Sequence, residues 1–95
     1  MNEPWIEEDI EEIIADFNFN SDRLKRLAKR GFVLNQDIKN LRKYFVQEIR
    51  TFKDMFSTHE EYKKLNEGLF IHSAKCMDNV TKEYYNYQKN NGRLN

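Results

Sequence analysis

The sequence predicts an all-α fold, a compact three- to four-helix bundle built around a long antiparallel helical hairpin. Three observations predict it. Only three Gly and one Pro occur in 95 residues, too few for an all-β chain, which turns about every ten residues. Apolar residues recur at spacings of three and four along most of the chain. Between the two longest such stretches lies only Ser57-Thr58, a link so short that the flanking helices must run antiparallel.

The length fits one domain spanning 1–95. With 39% hydrophobic, 34% charged and 14% aromatic residues, the chain is highly charged but has the apolar content of a packed fold rather than a disordered one.

Four helices are expected, at about 5–17, 22–30, 35–56 and 59–90, with a frayed tail at 91–95. The first follows Pro4, a residue suited to a helix start. Ile6, Ile10, Ile13, Ile14 and Phe17 share one face, and Phe17-Asn18-Phe19-Asn20 reads as the break. Ser21 is a candidate N-cap for the second helix, which Gly31 would end in a left-handed conformation. Phe32-Val33-Leu34 follows as an apolar connector expected to plug the core. In the third helix Ile38, Leu41, Phe45, Ile49, Phe52 and Phe56 form a narrow stripe. Thr58-x-x-Glu61 has the form of a capping box for the fourth.

The fourth helix is more apolar than a bundle helix requires. Tyr62, Leu65, Leu69, His72, Cys76, Val80, Tyr84 and Tyr87 make one stripe. Phe70, Ala74, Met77, Thr81 and Tyr85 make a second, about 100° around the helix. The helix also outruns its partner, so its Tyr-rich end must be covered by the first helix, a second copy or another protein. Phe70, Met77, Tyr84, Tyr85 and Tyr87 are therefore candidate interface residues; tyrosine combines area with a polar tip.

The charge pattern is segregated. Met1 to Ser21 holds seven acids and no base, a net −7, whereas Asp22 to Lys43 holds eight bases against two acids, a net +6. The whole chain is neutral, so net charge hides the split. One expectation is that the acidic helix lies beside the basic one and the two exchange weak surface ion pairs. A second makes Glu7, Glu8, Glu11 and Glu12 an acidic contact surface for a basic groove on another protein. A third makes Arg23, Arg26, Lys29, Arg30, Lys39 and Lys43 a basic contact surface, extended by Arg50 and Lys53, for phosphates of a nucleic acid. Such binding would fall steeply with salt.

No catalytic or cofactor motif is present: there is no Ser/His/Asp set, Gly-rich phosphate loop or CxxC pair. His72 and Cys76 stand at i, i+4, but a structural zinc site wants four ligands and the only other His is His59. Cys76 is the sole cysteine, so no intramolecular disulfide forms. With no signal-peptide pattern and no apolar run of roughly eighteen residues, a cytoplasmic protein without a membrane segment is expected. The function expected is non-catalytic binding. The chain would be a small adaptor, inhibitor or regulator acting on another protein or as a homodimer, with nucleic-acid regulation as the alternative. Small size and an Asn/Lys/Ile-rich composition suit a phage or mobile-element product directed at a host protein. No cofactor or metal is implied, and no motif assigns the chain to a family.

Overall fold

The computed structural model describes residues 4–58 and 61–91, and side chains from Glu8 onward within them. Three helices follow one another: α1 (Pro4–Lys29), α2 (Asn35–Phe56) and α3 (Tyr62–Asn90). The parts expected of the Ile6 and Glu7 side chains, of His59 and of the tail from residue 92 lie outside what the structure describes.

The expected break at 17–20 is absent, because α1 runs straight through it. The apolar stripe explains why. Ile10, Ile14, Phe17, Leu24 and Ala28 keep helical spacing across the Asn-rich stretch and all join the core. Ser21 is not an N-cap: it is buried within the helix and its hydroxyl donates back to the Asn18 carbonyl at 3.2 Å. The Asn20 amide likewise donates to the Asp16 carbonyl at 2.9 Å. Residues that favour caps are thus satisfied inside the turn, and packing overrides their low helix propensity.

Gly31 ends α1 as its type suggests, with φ at +80°. Phe32 N–H donates to the Leu27 carbonyl at 2.9 Å and Gly31 N–H to that of Ala28 at 3.1 Å, the paired bonds of a Schellman motif. A second constraint holds glycine there, since a Cβ at Gly31 would run into the Tyr87 ring. The following connector plugs the core only through Val33; Phe32 and Leu34 are each 70% exposed. At the start of α2 the Asp37 carboxylate accepts the Leu34 N–H at 2.8 Å, half of a capping box. The Thr58–Glu61 box expected for α3 does not form: Glu61 occupies the N-cap position without a side-chain cap bond.

Contacts set the topology. Phe17 in mid-α1 meets Tyr44 and Phe45 in mid-α2. Asn66 near the start of α3 donates to the Ile49 carbonyl, in the second half of α2. Gly31 and Tyr87 bring the ends of α1 and α3 together. The helices therefore run up, down and up in a rod measuring 56 × 19 × 15 Å. The densest packing lies between α1 and α3, less between α2 and α3, and least between α1 and α2. The α1–α3 pair, rather than a hairpin of α2 and α3, is the better-packed seam.

Phe17, Phe52, Leu69 and Val80 are the largest fully buried side chains. Phe17 sits edge-on to Phe45 with ring centroids 4.6 Å apart, a geometry that aligns ring edge with ring face. No helix among the described residues is long and apolar enough to cross a membrane.

Candidate interaction surfaces

Because α1 is unbroken, its acidic and basic halves lie end to end on one helix and cannot pack side by side. The adjacent-helix ion pairing expected of them is excluded by that geometry, and so is an acidic helix standing apart from the basic stretch. Glu8, Glu11 and Glu12 are exposed in the first half; Arg23, Arg26 and Lys29 are exposed in the second, and Arg30 in the turn that follows it. At the rise of an α-helix, Glu8 and Arg30 are roughly 33 Å apart. Lys39 and Lys43, also exposed, belong to the start of α2 and so to the basic end of the rod.

Depressions of opposite character lie along α1 and its loose seam with α2. Near the acidic end, Asp9, Glu12, Asp16 and Glu48 rim a depression of about 220 Å³, with Met55 at its edge and Phe52 and Phe56 beneath. Toward the basic end, Arg23, Arg26 and Arg30 with Leu27 line another of about 220 Å³. Between them Asn20, Arg23, Asp37, Asn40 and Tyr44 line a third, of about 300 Å³. Glu48 of α2 thus shares the first of these depressions with carboxylates of α1.

Tyr44 reports this environment. Burial pushes its phenol above the ordinary value of 10.0, and the Glu48 and Asp16 carboxylates push it further, against a lowering hydrogen bond from Asn20. A raised folded-state value means that the native protein holds the proton after the unfolded chain has lost it. The stabilisation is complete below pH 10 and is lost as pH climbs through the folded-state value. Tyr44→Phe is therefore expected to flatten the alkaline fall in unfolding midpoint. Superimposable alkaline profiles for the two proteins would rule this out.

The α3 residues singled out by sequence separate into two groups. Met77 and Tyr84 pack against the core, and Tyr87 lies over Gly31. The turn after α1 thus meets the Tyr-rich end at Tyr87. Phe70 and Tyr85 stay on the surface, at 63% and 54% exposure. Phe70 joins Val46, Ile49, Arg50, Lys53 and Asp54 around a groove of about 400 Å³ between α2 and α3. Arg50 and Lys53 of α2 thus meet Phe70 of α3 on one face.

His72 and Cys76 converge on one α1 side chain. The Asn18 side-chain oxygen Oδ1 lies 2.8 Å from His72 Nε2 and 3.8 Å from Cys76 Sγ. Their i, i+4 spacing serves a polar link across the α1–α3 seam. Sequence reasoning also passed over Phe19, 66% exposed on α1, because it was assigned to a break. The signal was available: Phe19 falls between Ala15 and Arg23 at spacings of four, on the face opposite the apolar stripe. Val46 was missed because it lies outside the α2 stripe.

Comparison of the chain with family models, with curated proteins and with solved structures finds no match in any of the three.

Proposed function

We propose that this protein is a non-catalytic binding module that acts by contact with another protein, and that the α2–α3 groove receives the partner. The observation that carries this reading is Phe70, held 63% exposed on a helix beside Val46 and Ile49 and flanked by Arg50 and Lys53. A large ring left in water next to an apolar cleft gains free energy when covered. The two cations favour a partner segment that is apolar on one side and acidic at its edge, such as an amphipathic helix laid in the groove. Charge would then govern encounter rate and selectivity more than depth of binding. A regulator or inhibitor that occupies a partner's surface needs nothing further from its own chemistry.

A second reading draws on the three arginines that share one depression at the basic end, with Lys29, Lys39 and Lys43 exposed at that end. Clustered guanidinium groups suit phosphate oxygens.

One experiment addresses both. Wild-type protein, Phe70→Glu and the pair Arg50→Glu with Lys53→Glu are used to capture partners from native-host extract, with and without nuclease. The proposal expects a protein retained by the wild type, insensitive to nuclease and lost from both variants. Equal capture by all three contradicts it, and capture abolished by nuclease favours the nucleic-acid reading.

A further inference from the structure

The outward face of α1 carries a pattern that its own bundle does not use. Glu8, Glu12, Ala15, Phe19, Arg23, Arg26 and Arg30 recur at spacings of three and four and are all exposed, forming one stripe opposite the buried face. Phe19 stands at its midpoint. Residues equidistant from Phe19 are complementary: Glu8 with Arg30, Glu12 with Arg26, and the small Ala15 with Arg23. Asp16 on the same flank comes level with Arg23.

We propose that this face pairs with the same face of a second copy, the two α1 helices antiparallel about a two-fold axis at Phe19. An isologous contact requires a self-complementary surface, residue i meeting j while j meets i. A stripe that is acidic on one side of its centre and basic on the other meets that requirement only when the helices are antiparallel; a parallel pair would place acids on acids and bases on bases. At the axis the two Phe19 rings bury one another, which accounts for a 66%-exposed phenylalanine on an otherwise charged face. Ala15 leaves room for the backbones to approach. The axis forms each charged pair twice, so Glu8–Arg30 and Glu12–Arg26 alone supply four contacts. These are surface ion pairs, individually weak and screened by salt, so the dimer dissociates as ionic strength rises. The groove between α2 and α3 lies on other helices and stays open in the dimer.

The test is a solution mass by light scattering at low salt, on the wild type, Glu8→Lys with Glu12→Lys, Arg26→Glu with Arg30→Glu, and Phe19→Asp. Wild-type protein is expected at twice its 11.6 kDa chain mass, moving toward the monomer as salt is added. Each double variant turns four attractions into repulsions and weakens the dimer on the order of 100-fold, as does Phe19→Asp by placing two carboxylates at the axis. Mixing the two double variants restores a dimer, because each substituted pair then meets the opposite charge on the partner helix. Circular dichroism on each variant shows that helix content is kept; should one double variant unfold, Phe19→Asp and the other variant decide the matter. A monomeric wild type, dimeric variants, or a monomeric mixture of two folded variants would each overturn the proposal.

Discussion

Phe17→Ala is expected to remove about 3–5 kcal/mol of folding stability, the range for truncating a buried aromatic ring. Phe17 has no exposed surface and packs edge-on against both Tyr44 and Phe45. Its place in the fold raises the cost. The α1–α2 seam is the loosest of the three, and the Phe17 ring is what bridges it between the depressions on either side. Helical neighbours cannot collapse into the gap without shifting α1 along its length, so the cavity term remains. Folding stability for 95 residues is roughly 5–14 kcal/mol, so the loss is a large part of the total. Denaturant unfolding should show a lower midpoint with an unchanged slope. A loss below about 1 kcal/mol would mean that Phe17 sits at a mobile helix end rather than in the core.

The sequence made much of this legible. α2 occupies the residues its apolar stripe predicts, and Gly31 ends α1 by the bonding its type favours. The failures have specific causes. Phe17-Asn18-Phe19-Asn20 reads as a break on local propensity, yet the stripe from Ile10 to Ala28 continues through it without losing phase. Where tertiary burial and local preference disagreed, burial decided, and the polar side chains of Asn20 and Ser21 found carbonyls one turn back. Phe32 and Leu34 show the reverse error, since an apolar type in a connector does not imply a buried one. For α3, two stripes were visible but not what would cover the Tyr-rich end. That depended on α1 extending far enough for its terminal turn to meet Tyr87 of the first stripe, while Tyr85 of the second stays exposed. The fused helix also changes the meaning of the charge split, which passes from a contact between two helices to a polarity along one.

Continuity of α1 underlies all of this, and Asp22→Pro tests it most directly. Asp22 is exposed, so its replacement removes no packing. If a helix began at Ser21, position 22 would be its first residue, where proline is favoured. In an unbroken α1 the proline lacks the N–H for the Asn18 carbonyl and its ring presses on that carbonyl, at a cost of about 3 kcal/mol or more. The bend would also draw Asn18 away from His72 and Cys76. Unfolding free energies should be measured for Asp22→Pro beside Asp22→Ala. A proline variant less stable than the alanine variant by about 3 kcal/mol is the predicted result. Stabilities within about 0.5 kcal/mol of each other would contradict a continuous α1, and with it the end-to-end arrangement of the two charged halves.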